Sequence, residues 1–337
     1  MRPFSYQRAT SLGDAARLGI ATGRGETDAL TQFLAGGTTV IDLMKLDVLR
    51  PQTLVDLAPL AAGHDRIEAG PQGLRLGAWV KMSAAAADPA VLAQYPVIAE
   101  SLSQAASAQL RNMATLGGNV LQRTRCSYFR DPSWTACNKR TPGSGCAALG
   151  GVNRNHAVLG VTQNCIAQYP GDFAVALVAL DAEVELSGPA GARSLPLSSL
   201  HRPLADQPHI ENTLQPGEVI TAFFVPASAW TKRSTYLKIR DRSSYEFAIA
   251  SAAVALELEG DTVRQVRIGI GGNAYSPWRA HEAEAALTGW PLTEANAEGA
   301  ARLAFRHAVA HGENAYKLEL GPRTIVRALL QAQAMEV

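Results

Sequence analysis

Four thiols fall inside one forty-residue window of this 337-residue chain: Cys126, Cys137, Cys146 and Cys165, with ten, eight and eighteen residues between them. Those spacings differ from the short C-x-x-C pairs of most structural zinc sites, and a disulfide framework belongs to much smaller domains with cysteines spread throughout. Thiolates at long intervals in a Gly- and Pro-rich segment suit a cluster whose irons sit at the corners of a cube, so a [4Fe-4S] centre is the expected ligand. Zinc, disulfides and buried inert thiols are the competing readings. From Cys126 to Gln163 hydrophobic periodicity almost vanishes. A stretch that long inside a compact domain reads as an insertion, about residues 122–166, organised by what it binds.

Two glycine turns are the second chemistry-bearing feature. Thr31-Gln32-Phe33-Leu34-Ala35 reads as a short strand running into Gly36-Gly37-Thr38-Thr39, after which Val40, Leu43, Met44 and Leu46 recur at helical spacing. Free amides and the start of a helix at one point suit a phosphate, and glycine matters because a Cβ would hold the oxygens away. The turn matches neither the G-x-G-x-x-G nor the Walker pattern, and an ordinary strand-to-helix turn would look the same. Arg111-Asn112-Met113-Ala114-Thr115-Leu116-Gly117-Gly118-Asn119 repeats the chemistry after a helix, with a hydroxyl at Thr115. Two such turns would clasp one diphosphate.

Other chemistry is missing. The seven histidines, among them His156, His201 and His281, show no H-E-x-x-H or paired spacing, and Gly143-Ser144-Gly145 is not a nucleophile elbow. With 31 Lys+Arg against 30 Asp+Glu, the net charge of +1 leaves no electrostatic footprint for nucleic acid or an anionic membrane. No apolar run reaches the length of a membrane span, and the N-terminal segment has no apolar signal core, so neither membrane insertion nor a leader of its own is expected.

The elements that must position these residues follow from pattern. Ser11 with Asp14 reads as a capping box opening a short helix. Strands are expected around Leu54–Leu57, Arg66–Glu68 and Leu74–Ala78, followed by an Ala-rich helix from Ser83 to about Ser107. An apolar helix follows Asp172 to Leu180, with strands at Glu183–Leu186 and Val219–Val225, the latter pair separated by Pro-rich text around Arg202 to Pro216. A boundary is expected near residue 229. Beyond it Tyr236–Arg240, Ala248–Leu258 and Val263–Ile270 read as antiparallel strands, the last two turning at Glu259-Gly260-Asp261. Thr293, after Pro291, caps one terminal helix, and Pro322 lies near the start of another.

Taken together, Ala35-Gly36-Gly37-Thr38, the Arg111-Asn112…Thr115…Gly117-Gly118-Asn119 turn, Asp172 ahead of Ala176-Leu177, Pro216-Gly217-Glu218-Val219-Ile220, Tyr236-Leu237-Lys238 and Ile270-Gly271-Gly272-Asn273 resemble the FAD-binding subunits of the molybdenum hydroxylases over nearly the whole chain. The resemblance implies an α+β fold, with a two-subdomain α/β FAD-binding region of PCMH type (1–228) and a C-terminal domain of three antiparallel strands with a helical bundle (229–337). It implies that Gln32, Phe33, Leu34, Ala35, Gly36, Gly37, Thr38, Thr39 and Val40 bind FAD, the amides around Gly36 to Thr39 holding its diphosphate from one side and Thr115, Gly118 and Asn119 from the other. Asp172 would accept from ribityl or ribose hydroxyls, Ile220 would pack on the rings, and Lys238 would donate near the flavin. On pattern alone Asp172 is as well read as a helix N-cap and Lys238 as a surface strand lysine. The chain departs from the family at Tyr245-Glu246-Phe247, where an Asp often follows the arginine.

Most such flavin subunits lack the cysteine insertion. The wording around Cys126, Cys137 and Cys146 resembles the aldehyde oxidoreductase members, which implies that Cys126, Cys137, Cys146 and Cys165 ligate the [4Fe-4S] cluster. Clustered Arg123, Arg125, Lys139, Arg140 and Arg154 would offset a thiolate cluster's charge, and a solvated face or a partner's docking surface would read the same. The implied function is an electron-transfer flavoprotein subunit of a heterotrimer with a [2Fe-2S] small subunit and a large subunit carrying the molybdenum cofactor. Electrons from an aldehyde would pass through FAD to an external acceptor, with no substrate chemistry on this chain. A 4-hydroxybenzoyl-CoA reductase-like subunit, with electrons running inward, and a non-catalytic zinc- and nucleotide-binding scaffold are the alternatives. By resemblance the complex is expected in the periplasm, carried there by a signal-bearing partner.

Overall fold

The computed structural model describes residues 1–20, 27–203 and 207–337, so part of the Pro-rich connection around Arg202 to Pro216 lies outside the described residues. The chain forms β1 (Ser5–Arg8), α1 (Leu12–Gly19), β2 (Thr31–Leu34), α2 (Val40–Lys45), β3 (Thr53–Asp56), β4 (Ile67–Gly70) and β5 (Gly73–Gly77). Ser11 caps α1, its hydroxyl accepting from the Asp14 amide at 3.0 Å. The return bond of the expected capping box goes one residue further back, from the Thr10 amide to Asp14. β1, β3 and β2 pair in that order as a parallel three-stranded sheet.

The single Ala-rich helix expected from Ser83 to Ser107 is three short ones, α3 (Met82–Ala87), α4 (Pro89–Gln94) and α5 (Pro96–Ser103). Pro89 and Pro96 lack the amide a continuing helix needs, and Asp88 restarts the chain by accepting from the Ala90 and Val91 amides. Then come α6 (Ala108–Met113), α7 (Leu116–Val120), α8 (Ser127–Arg130), α9 (Asp172–Ala179), β6 (Glu183–Gly188), β7 (Gly191–Pro196) and β8 (Val219–Pro226). β7 was not anticipated, because its exposed strand has no apolar alternation. The second sheet has the order β4-β5-β8-β6-β7 and is antiparallel throughout.

The C-terminal portion holds β9 (Ser234–Ile239), β10 (Ala250–Glu259), β11 (Thr262–Gly271), β12 (Trp278–Arg279), α10 (His281–Leu287), α11 (Glu294–Ala304) and α12 (Lys317–Gln333). The three expected strands are joined by a fourth of only two residues, giving the order β12-β11-β10-β9. Gly260 turns the β10–β11 hairpin at φ +57°, a conformation that favours glycine. Every residue of α9 is buried, so it is apolar all round apart from Asp172 at its start. Gly269 and Gly271 let it approach β11: a Cβ there would meet the Val175 carbonyl oxygen at 2.5 Å or Val175 Cγ2 at 2.7 Å. That close approach sets the first residue of α9 against β9.

Candidate functional site

The two glycine turns meet at one cleft. Its walls include Gln32, Phe33, residues 35 to 40, Thr115, Gly117, Gly118 and Ile220. Gly36 seats the first turn against the second, because a Cβ there would lie 2.4 Å from the Met113 carbonyl oxygen and 2.9 Å from Ala114 Cα. Gly37 has φ +77°. Among the described residues none accepts a hydrogen bond from the amides of Gly36, Gly37, Thr38 or Thr39, which leaves a run of donors at the cleft. The amides, not a macrodipole, carry any attraction for an anion, since α2 spans only six residues.

The second turn contributes differently. Its amides are already taken: Gly117 donates to the Ala78 carbonyl, Asn119 to the Thr115 carbonyl and Gly118 to Thr115 Oγ1, which caps α7. Thr115 retains its hydroxyl proton for a ligand. The cleft accordingly offers donors on one side and a hydroxyl with bare glycine surface on the other, which fits a diphosphate bridge running into an apolar slot formed by Trp79, Leu57, Leu121 and Ile220.

Four anticipated residues lie outside this lining. Leu34 packs with Leu43, Phe129 and Cys137 in a hydrophobic cluster. Asn119 donates from Nδ2 to Met82 Sδ at 3.3 Å, and its Oδ1 is buried without a partner. Asp172 and Lys238 hold one another, Nζ to Oδ2 at 2.8 Å, while the Tyr236 hydroxyl donates to Asp172 Oδ1 at 2.7 Å. Both pattern-level readings of this pair are corrected: Asp172 is the first helical residue after Gly171 and caps nothing, and the Lys238 side chain is 1% exposed. Conversely, Arg123, Gln215 and Glu218 line the cleft without having been singled out for it, although Glu218 stands in the Pro216–Ile220 motif.

The four cysteines are all free thiols, buried or half-buried. Cys137 and Cys146 pair as an antiparallel bridge, Cys126 packs against three small clusters, one holding Cys137, one bordered by Cys146 and one holding Cys165, and the Cys146 and Cys165 side chains share a hydrogen bond. Backbone amides are aimed at the sulfurs: those of Tyr128 and Phe129 at Cys126, those of Ala148, Leu149 and Ile166 at Cys146, and that of Ala167 at Cys165. Burial pushes the Cys126 thiol up to about 11, whereas the hydrogen bond from Cys165 holds Cys146 down to about 6 and raises Cys165 in return. His156 Nε2 lies 3.2 Å from Cys126 Sγ, and burial holds that histidine down to about 4, so its ring is neutral. Among the described residues no three His, Cys, Asp or Glu side chains converge on a point suited to a single metal ion. A four-iron cube spreads its thiolates over a larger volume than one ion does, and amide donors to sulfur are what such a group requires.

The basic residues around the cysteines are not a free positive field. Arg123 and Lys139, both buried, share Glu211 at 2.8 and 2.6 Å; Arg125 and Arg130 share Asp42; Arg154 pairs with Asp241; Arg140 donates to the carbonyls of Tyr128, Phe129 and Trp134. Burial, the largest single influence, would lower the pKa of Lys139, but the Glu211 charge and hydrogen bond together with Tyr275 and Cys165 outweigh it and raise it. Lys139 is the cation that favours the Cys165 thiolate, and it also donates to the Tyr275 hydroxyl at 2.7 Å. The expected charge compensation thus reduces to one lysine, and the arginines tie the insertion to its surroundings.

Comparison with known proteins gives matches along nearly the whole chain. Residues 2–228 match the family described as the FAD binding domain in molybdopterin dehydrogenase, and residues 235–332 match the CO dehydrogenase flavoprotein C-terminal domain. The chain is 42% identical over 336 residues to the aldehyde oxidoreductase FAD-binding subunit PaoB of Escherichia coli (strain K12), covering 99% of both. It is 26% identical over 86% of its length to the glyceraldehyde dehydrogenase medium chain of Sulfolobus acidocaldarius, covering 83% of that protein. In three dimensions it is similar to carbon monoxide dehydrogenase from Hydrogenophaga pseudoflava, with a TM-score of 0.75 at 25% identity over 99% of this chain and 98% of the other.

Proposed function

Since the chain belongs to the FAD-binding subunits of the molybdenum hydroxylase family, we propose that it is the electron-transfer subunit of an aldehyde oxidoreductase, holding FAD in the glycine-turn cleft and a [4Fe-4S] cluster on Cys126, Cys137, Cys146 and Cys165. The observation that supports this most directly is that the two segments meet: Arg123 lines the cleft and stacks 4.9 Å from the Phe129 ring, which packs with Cys137 and Cys126. FAD, when bound, supplies the exchange between two-electron and one-electron chemistry.

This chain's residues bind and position. The amides of residues 36 to 39 donate to the diphosphate, the Thr115 hydroxyl to its far side, and Ile220 supports the rings. Six amides and Lys139 stabilise thiolates at the cysteines. Among the described residues lining the cleft, the one carboxylate, Glu218, is engaged by Arg193 and the Gln215 amide, whereas aldehyde hydroxylation requires both a nucleophilic oxygen and a base. A [2Fe-2S] small subunit and a molybdenum-binding large subunit would supply the electrons. No helix among the described residues is long and apolar enough to cross a membrane. Location in the periplasm by co-export with a partner is part of the same reading, and fractionation of cells expressing all three chains tests it.

The purified chain is expected to show flavin bands with a broad iron-sulfur shoulder, one FAD, and four irons with matching acid-labile sulfide. Acid precipitation releases the flavin. One zinc without sulfide would exclude the cluster, and absence of flavin would move the chain toward a scaffold role. In the co-expressed complex, aldehyde-dependent flavin reduction should vanish when the large chain is omitted.

A further inference from the structure

We propose that His156 is a positioning residue that raises the reduction potential of the cluster by donating a hydrogen bond from Nε2 to the sulfur of Cys126. The inference rests on the cluster reading above. His156 Nε2 stands 3.2 Å from Cys126 Sγ, within the range for a bond to sulfur. A thiolate that ligates iron carries no proton, so in the loaded protein the ring nitrogen must be the donor. The other ring nitrogen, Nδ1, is buried with no partner among the described residues, so no acceptor there draws a ring proton away from Nε2. His156 is held in place by its own amide, which donates to the Asn153 carbonyl at 2.9 Å, and by the Tyr128 ring at 6.2 Å between centroids.

Placement gives this contact its consequence. Cys146 and Cys165 are served by backbone amides and Lys139, groups that ordinary side-chain variation does not remove or that also hold the insertion together. At Cys126 an imidazole is added to the amides of Tyr128 and Phe129. The same corner borders a cavity lined also by Asn155 and, from the C-terminal portion, by Asp241, Glu246 and Phe247, so this sulfur lies beside an opening in the fold. A donor to a ligand sulfur stabilises the more negative, reduced cluster more than the oxidised one, and hydrogen bonds to sulfur are an established lever on cluster potential. His156 would keep its proton throughout: reduction of the cluster by one electron from the flavin would make its sulfurs more negative, with no bond to the ring formed or broken.

The test is a redox titration of the purified complex, followed by the electron paramagnetic resonance signal of the reduced cluster, for the wild type, His156→Phe and His156→Gln. His156→Phe, with four irons retained, is expected to lower the ratio of reduced to oxidised cluster about tenfold at a fixed potential, which is about 59 mV for one electron. The FAD potential should not move. His156→Gln, which can present an amide N–H, should recover part of the shift. If His156→Phe loses iron, His156→Ala replaces it with the same expectation. An iron-replete variant without the donor that titrates like the wild type overturns the proposal while leaving the cluster reading intact. Wild-type protein without iron and sulfide overturns both.

Discussion

The Asp42 carboxylate accepts from Arg130 through both oxygens, at 2.8 and 3.0 Å, and from Arg125 at 3.0 Å. Asp42 belongs to α2, directly after the unpartnered amides, while Arg125 precedes Cys126 and Arg130 ends α8. Burial alone would raise the Asp42 pKa, yet the two guanidiniums hold it below the usual carboxylate range. Asp42→Asn should therefore loosen both sites at once. The triad is partly exposed, so the expected stability loss is about 1 kcal/mol. Flavin and iron retention after gel filtration should fall together, and loss of only one would show that the triad does not couple them.

Gly36 and Gly37 should respond differently to added side chains. Gly36→Ala places a Cβ against the Met113 carbonyl and pushes the two turns apart, so flavin content should collapse. At Gly37 a Cβ finds Ile41 and Leu34 at 3.4 Å, ordinary contact, and the cost arises from the left-handed backbone, about 1–2 kcal/mol for alanine. Gly37→Val, with a branched side chain at the same φ, should also lose flavin while keeping most of the fold. Flavin-to-protein absorbance ratios and far-ultraviolet circular dichroism separate these outcomes, and a Gly36→Ala protein with full flavin would place the clasp elsewhere.

Lys238 and Asp172 form a buried ion pair, and removing one member strands the other. Lys238→Met should cost about 3–5 kcal/mol. The Asp172→Asn, Lys238→Met double variant should recover much of that stability in denaturant titrations. If the double variant is stable yet binds flavin weakly, the pair serves the cofactor as well as the fold; full flavin binding would restrict it to structure.

His201 should give the protein an acid-side slope. Burial holds it down to about 4, its ring meets the Tyr169 ring edge-on at 4.7 Å, and its Nε2 has no partner among the described residues. An imidazole ordinarily titrates near 6.5, so the unfolded chain takes up the proton first as pH falls. The stabilisation is complete above about 6.5 and is lost progressively toward 4, by as much as about 3 kcal/mol. Glu211 acts in a lower window: burial opposes its charge, but Arg123 and Lys139 hold it down to about 2, so its contribution is full above the ordinary glutamate range and lost between there and 2. His201→Phe should reduce, by roughly half, the dependence of melting temperature on pH between 6.5 and 4, because His156 is held down to about 4 in the same way, while leaving the steeper fall below 4. An unchanged slope would mean that the proton is taken up elsewhere.

Much of the fold was legible because its signals are local. Ser11 and Thr293 each cap a helix within three residues of themselves, and the β10–β11 alternation announces a hairpin around Gly260. Where local signals conflict, as with alanine-rich text cut by Pro89 and Pro96, backbone chemistry prevailed over helix propensity. The four cysteines and the Gly-Gly-Thr-Thr turn were legible as chemistry because few residue types offer thiolate or an unobstructed amide. What tertiary structure alone decided are the partners. Glu211 reaches Arg123 from 88 positions away, Asp42 reaches Arg130 from 88, Tyr236 reaches Asp172 from 64, and His156 reaches Cys126 from 30. A residue's type determines which bond it can make, but whether that bond meets a cofactor, a counter-charge or a cysteine depends on which strand or loop the packed core sets beside it.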